Sequence, residues 1–195
     1  AEAFTPPTYG DRDINQYRVV LPTVQARLLG RYETGLYDES AAEIVVFDPV
    51  TNVVGAINAA NGSVHGIDIS DPTNPRFIGL VTAAMGGLSG SPNSIAVHPE
   101  SGRIAVVLEA ENPQDPGTLI IGDRAGILGY LNDGTIPPVP IIQTGALPDM
   151  VTFSPDGRYV LVANEGEPSD DYSVDPEGSV TIVDLQGGMP YDVST

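Results

Sequence analysis

The fold is decided by one stretch of sequence, residues 147–185, which reads LPDMVTFSPDGRYVLVANEGEPSDDYSVDPEGSVTIVDL. Two β-rich runs flank the turn sequence Ser154-Pro155-Asp156-Gly157. Proline presets one turn dihedral and glycine accepts a positive one, so this sequence predicts a tight hairpin. A third apolar run, 179–185, follows a long acidic loop at 164–178. The stretch therefore predicts three antiparallel strands.

The same unit occurs twice earlier in the chain. Its turn prolines are Pro49, Pro99 and Pro155, which lie 50 and 56 residues apart. Its loop-ending glycines are Gly62, Gly117 and Gly178. Such periods, with about four short strands per unit, are typical of β-propeller blades. The sequence predicts an all-β chain of about three four-stranded antiparallel blades, the third incomplete, forming part of a larger propeller.

The domain organisation follows from this repeat. Residues 1–23 contain three prolines and no sustained period, which predicts an extended N-terminal arm. Residues 24–195 are expected to form the partial propeller. We predict an isolated strand at 27–35, blades at about 41–81, 92–132 and 147–195, and fourth strands at 76–81 and 127–131.

Composition limits the function. The 195 residues contain 26 acidic and 8 basic side chains, for a formal net charge of -18, and all basic residues are arginine. This charge disfavours nucleic-acid binding and favours cationic partners. There is no cysteine, which excludes disulfides and thiolate metal sites, and no apolar run approaches a membrane span. The start Ala1-Glu2-Ala3, without methionine, suits a secreted product after signal cleavage, and a fragment of a longer chain would begin without methionine too.

The extra length of the later repeats enters between the second and third strands. In an antiparallel blade this loop lies at the same end as the connection to the next blade. We call this end the loop rim, and the opposite end, which holds the proline turns, the turn rim. Insertions on one face of a repeat array often build its binding surface, so function is expected at the loop rim.

The acidic loop at 164–178 is the main candidate site. Clustered carboxylates on a loop provide the six to eight oxygens that Ca²⁺ prefers, although the spacing excludes an EF-hand. A solvated acidic loop is the alternative interpretation. The candidate ligands are Glu165, Glu167, Asp170, Asp171, Asp175 and Glu177, with Glu109, Glu111 and Asp115 as a weaker second group. Further carboxylates expected at this rim are Asp38, Glu39, Glu43 and Asp149.

Other side chains have simpler interpretations. His65 and His98, the only histidines, are expected to be packing or surface residues. Aspartates that follow strands are expected to cap turns through hydrogen bonds to backbone N–H groups. These are Asp48, Asp68, Asp123 and Asp184.

The chain resembles a known family at several motifs. These are RLLGRYETGLYDESAAEIVVFDP, INAANGSVHGIDISDPTNP, GALPDMVTFSPDGRYVLVANEGEP and DDYSVDPEGSVTIVDL. They are similar to the choice-of-anchor I family of secreted or surface-anchored β-propeller proteins, which also resemble a mesenchyme-specific cell-surface glycoprotein. The YVTN and LVIVD propeller repeats share some of these motifs. The resemblance implies an extracellular or cell-envelope location, and a strand at RLLGRYETG that closes the ring against a last blade.

We therefore expect an extracellular or envelope β-propeller that acts as a scaffold or interaction protein with an acidic, calcium-binding loop rim. Its expected partners are other surface proteins or further blades of the same polypeptide. A metal-dependent phosphoesterase is the first alternative, although no lysine or arginine lies in the acidic loops. A surface-layer or filament subunit, a homo-oligomer joined through open edge strands, is the second.

Overall fold

The structure is a computed structural model that describes residues 26–37, 41–133 and 138–185. Over these residues it contains three antiparallel sheets, which we number as blades 1 to 3. Blade 1 contains β1 (Val45–Asp48), β2 (Val53–Asn58), β3 (Ser63–Asp68) and β4 (Arg76–Thr82). Blade 2 contains β5 (Ser91–His98), β6 (Arg103–Glu109), β7 (Pro116–Asp123) and β8 (Ile141–Ala146). Blade 3 contains β9 (Pro148–Phe153), β10 (Tyr159–Asn164) and β11 (Ser179–Asp184).

The strands of each sheet follow one another in chain order, so every sheet is a simple antiparallel meander. The all-β prediction is confirmed. Blade 3 has three strands within the described part of the chain, and residues 186–195 lie outside it, as does the arm predicted at 1–23.

The first turn of every blade contains one residue with positive φ. These residues are Asn52, Gly102 and Gly157, with φ of 55°, 72° and 67°. Glycine and asparagine tolerate this conformation better than other residues. The three turn prolines precede them, so Pro49, Pro99 and Pro155 occupy corresponding corners of the three sheets.

The core lies between blades 2 and 3. Along β6 and β7, alternate side chains point toward blade 3, and Ala105, Val107, Leu119 and Ile121 are all fully buried. They pack against apolar side chains of blade 3 such as Val160 and Val162. The period-2 alternation of these strands thus builds one close-packed interface.

One predicted strand is wrong. Residues 127–131 belong to an α-helix, α1 (Arg124–Asp133), and the fourth strand of blade 2 is β8, at Ile141–Ala146. The helix begins where Asp123 Oδ1 accepts a hydrogen bond from the Gly126 N–H at 2.7 Å, which is an N-terminal cap. Blade 2 therefore extends to residue 146, beyond the predicted limit of 132.

Residues 27–35, predicted as an isolated strand, form no ladder with any strand of the described part of the chain. The segment instead contacts blade 1 through side chains. The Tyr32 ring stacks on Phe77 with 6.4 Å between centroids, and its hydroxyl lies 3.3 Å from His65 Nδ1. Gly30 lies against the Pro72 carbonyl, so closely that a Cβ would meet that oxygen. The segment therefore lies against the β3–β4 turn and is not aligned along an edge strand.

Candidate functional site at the loop rim

The long loops of blades 2 and 3 meet at the loop rim. Gln114, in the β6–β7 loop, donates a hydrogen bond from Nε2 to the Glu167 carbonyl at 3.3 Å. Residues 113–114 and 167–171 form the walls of a shallow groove between the two loops. The Glu109 and Asp170 segments therefore lie at the same end of the sheets, as the sequence predicts.

Three further carboxylates lie close together near strand ends at the loop rim. Glu109 closes β6, Asp149 lies in β9, and Glu43 comes just before β1. Burial raises the pKa of the half-buried Glu109, and the negative charges of Glu43 and Asp149 raise it further. These three groups, from three blades, thus share one region of negative potential.

The acidic loop is ordered by its own side chains. Asp171 Oδ1 accepts hydrogen bonds from Ser169 Oγ at 2.8 Å, from the Ser173 N–H at 3.0 Å and from Ser173 Oγ at 2.7 Å. The bonds from Ser173, followed by the bond from Ser169, lower the pKa of Asp171 to about 2. Asp171 therefore acts first as the centre of a local turn.

The remaining candidate ligands are spread along the loops. In the blade 3 loop, Glu165, Glu167, Asp170, Asp175 and Glu177 are exposed, as are Glu111 and Asp115 in the blade 2 loop. Across residues 26–37, 41–133 and 138–185, no three carboxylate or histidine side chains are grouped closely enough to hold one metal ion. The calcium site remains a prediction, and Asp38 and Glu39 lie outside the described residues.

The turn rim has the opposite character, because the blade arginines lie there. Arg76, Arg124 and Arg158 form ion pairs with Asp68, Asp48 and Asp184 respectively. The remaining one, Arg103, donates from Nη1 to the Gly157 carbonyl at 3.1 Å. The turn rim is thus partly neutralised, whereas the described loops of the loop rim contain no arginine.

The Arg124–Asp48 pair joins blade 2 to blade 1. Arg124 donates from Nε to Asp48 Oδ2 at 2.6 Å and from Nη2 to Oδ1 at 2.7 Å, and the Asp48 side chain is 9% exposed. The bond from Arg124 lowers the pKa of Asp48 to about 2, and the bonds from Thr51 and the Val50 N–H add to this effect. The sequence predicted only the turn cap of Asp48, because Arg124 lies far away in the chain.

The structure also aligns one polar residue per blade at the end of the second strand, a correspondence that the sequence interpretation missed. Asn58, Glu109 and Asn164 each end the second strand of their blade, at the loop rim. Asn58 Nδ2 lies 3.2 Å from His65 Nε2, and Asn164 Nδ2 donates to the side chains of Ser179 and Thr181. The shared position, directly before each loop, was the available sequence signal.

The two histidines are buried packing residues. His65 packs edge-on against Phe77, with 5.2 Å between ring centroids, and burial lowers its pKa. His98 lies 2.9 Å from Ser101 Oγ and contacts the blade 3 turn at the Pro155 carbonyl. Both serve the contacts between segments, in agreement with the sequence interpretation.

Most of the chain matches one known protein family. A sequence model described as the choice-of-anchor I domain matches residues 43–195. The chain belongs to the choice-of-anchor I family. Membership of the choice-of-anchor I family implies a cell-surface or secreted protein. No helix in the described part of this choice-of-anchor I chain is both long and apolar enough to cross a membrane.

Solved structures support a β-propeller-like fold for the choice-of-anchor I chain. Hydrazine synthase of Kuenenia stuttgartiensis is 18% identical, with a TM-score of 0.51, over 79% of this chain and 36% of its own. A functionally unknown protein of Desulfotomaculum acetoxidans is 15% identical, with a TM-score of 0.52, over 84% and 46%. These likenesses show the fold alone, and the chain spans less than half of each protein.

A more distant likeness involves a calcium-binding protein, the regucalcin of Agrobacterium tumefaciens. It is 15% identical over 76% of this chain and 61% of its own, and its TM-score of 0.38 is too low to carry an argument about calcium here. No curated protein matches the choice-of-anchor I chain in sequence.

Proposed function

We propose that this chain serves outside the cell or in the cell envelope as a rigid β-propeller scaffold, and that its acidic loop rim binds a positively charged surface of a partner. The separation of charge between the two rims carries the proposal. Arginines compensate aspartates at the turn rim, whereas Glu43, Glu109 and Asp149 repel one another at the loop rim. A patch of uncompensated charge attracts and orients an oppositely charged partner.

A cationic peptide tests this proposal. We expect decalysine to bind the chain in low salt. Its affinity should fall as added salt screens the charges. The triple variant Glu43→Gln, Glu109→Gln, Asp149→Asn should bind about fivefold more weakly, because it removes charge where the potential is concentrated. Isothermal titration calorimetry would measure the affinity.

The control changes the total charge equally at the turn rim, through Asp71→Asn, Glu100→Gln and Asp156→Asn. We expect this variant to retain most of the affinity. Equal weakening in the two variants would contradict the proposal, since it would show that net charge alone, and no particular surface, attracts the peptide.

The outer faces of blades 1 and 3 support a scaffold that has neighbours. On blade 1, Val45 and Phe47 are 68% and 44% exposed, and they point away from blade 2. On blade 3, Val180 and Ile182 are 64% and 59% exposed. Exposed apolar patches on sheet faces mark contact surfaces. We propose that further blades or other surface proteins cover these faces, with a homo-oligomer as the alternative.

Calcium binding at the acidic loop is the finer part of the proposal. The exposed carboxylates of residues 165–177 offer oxygen ligands, and the turn around Asp171 already orders the loop. We expect 2 mM Ca²⁺, taken as about 100 times Kd, to raise the melting temperature by about 5 °C. The double variant Asp170→Asn, Asp175→Asn should lose this shift, and Glu100→Gln at the turn rim should keep it. Differential scanning calorimetry that finds no shift in the wild type would refute the site.

Within residues 26–37, 41–133 and 138–185, the loop rim offers the phosphoesterase alternative carboxylates but no arginine. Phosphate binding usually needs arginine or lysine beside the metal, but the blade arginines lie at the turn rim, where aspartates and the Gly157 carbonyl bind them. The scaffold is therefore the function that the described site supports best.

A further inference from the structure

Blade 2 is packed differently on its two faces. Toward blade 3, Leu119 and Ile121 of the central strand β7 are fully buried. Toward blade 1, the intervening Ile120 is only partly buried, and so are Ile104 and Val106 of β6. Residues on the central strands of a middle sheet are normally buried on both faces. The face toward blade 1 therefore borders unfilled space.

This space is a cavity of about 590 Å³ between blades 1 and 2. Its blade 1 wall includes Val64 and Val81, and its blade 2 wall includes Ile104, Val106 and Ile120. Pockets that bind small organic molecules usually have volumes of about 300–1,000 Å³. Even an apolar cavity of roughly 150 Å³ can stay dry and bind benzene, so the volume here suits a larger apolar molecule.

Small side chains explain why the sheets do not close the gap. The two sheets touch at Gly55, where a Cβ would lie 3.3 Å from Ile95 Cδ1. Elsewhere the cavity wall is built partly from Gly66 and Gly122, together with valines. Twisted sheets that pack closely along one strand, here β5, diverge beyond it, and the glycines and valines of the wall do not fill the space between them.

The polar groups at the wall are already paired. Asp48 and Arg124 bind each other with two hydrogen bonds, and Thr51 Oγ1 donates to Asp48 at 2.7 Å. His65 lies between Tyr32 and Asn58, and Asp123 caps α1. A charged ligand would have to leave water without gaining a free partner of opposite charge, which is unfavourable.

We propose that this inter-blade cavity is a binding site for an uncharged, apolar small molecule of the size of a fused-ring aromatic compound or a medium-length alkyl chain. The site is separate from the acidic loop rim, so the proposal does not depend on the proposed scaffold function.

The test is a fluorescence titration of the full chain with N-phenyl-1-naphthylamine, an uncharged dye that brightens in apolar surroundings. We expect saturable binding of one dye per chain, about tenfold weaker in Val106→Phe and in Val64→Phe, which fill the cavity from its two walls. The control Val50→Phe, on the exposed β1–β2 turn and outside the cavity wall, should leave the affinity unchanged. Circular dichroism would verify the fold of each variant.

Competition in the wild-type chain tests the chemistry of the ligand without any variant. We expect 1-decanol to displace the dye, and decanoate, with the same chain length and a negative charge at pH 7, to displace it at least about tenfold less effectively. Absence of saturable dye binding, or equal displacement by the two compounds, overturns the proposal. So does unchanged affinity in both folded cavity-filling variants. If those variants fail to fold, the competition result alone decides.

Discussion

Replacing Arg124 by methionine is expected to lower the free energy of unfolding by about 2–3 kcal/mol at pH 7. The substitution leaves the Asp48 carboxylate, which is 9% exposed, without the two hydrogen bonds that join blade 2 to blade 1. An unpaired charge in a mostly buried position is costly. Urea denaturation followed by circular dichroism would measure the change.

The loss of unfolding free energy caused by Arg124→Met should become smaller as the pH falls. Because the pKa of Asp48 falls from 3.8 to about 2 on folding, the unfolded chain binds the proton more tightly than the folded chain. The contribution of the pair is therefore complete above about pH 4 and is lost as the pH falls toward 2. The difference between wild type and Arg124→Met should shrink over this interval, and a difference that grows on acidification would contradict the assignment.

The control for Arg124→Met is Arg76→Met, which breaks the ion pair with Asp68. The Arg76 side chain is 66% exposed, and solvent-exposed ion pairs typically contribute less than about 1 kcal/mol. A loss as large as that of Arg124→Met would show that burial is not what makes the Arg124–Asp48 pair important.

Replacing Ile121 by alanine is expected to cost about 3–4 kcal/mol of unfolding free energy. Ile121 is fully buried in the interface between blades 2 and 3, where it belongs to the same apolar cluster as Leu119 and Val160. Removing three carbon atoms from a close-packed site loses their burial and leaves a new cavity. Thermal and urea denaturation would both report the loss.

The neighbouring residue provides a matched comparison. Ile120→Ala removes the same atoms from the same strand, but this side chain lines the existing cavity toward blade 1. We expect a cost of only about 1 kcal/mol, since fewer packing contacts are lost there. Equal costs for the two substitutions would argue that the blade 1–blade 2 interface is as tightly packed as the core.

The prediction that failed most clearly shows where local patterns mislead. The apolar residues after Asp123 have the composition of a short strand, and the expectation of about four short strands per blade favoured one at 127–131. Asp123 ends β7 and also caps α1, so the chain turns into a helix before β8 completes the sheet. A capping aspartate followed by two good helix formers, Arg124 and Ala125, was the signal for this helix.

The sequence by itself determined the blades, because three local features repeat along the chain. These are the turn proline, the glycine or asparagine that follows it, and the strands of alternating apolar residues. It also determined that the acidic loops of blades 2 and 3 share one end, since strand direction alternates in a meander. Only the tertiary structure paired Arg124 with Asp48, grouped Glu43, Glu109 and Asp149, and opened the cavity beside Ile120. These features depend on the angle and distance between neighbouring sheets, which are set by side-chain packing between residues far apart in the chain.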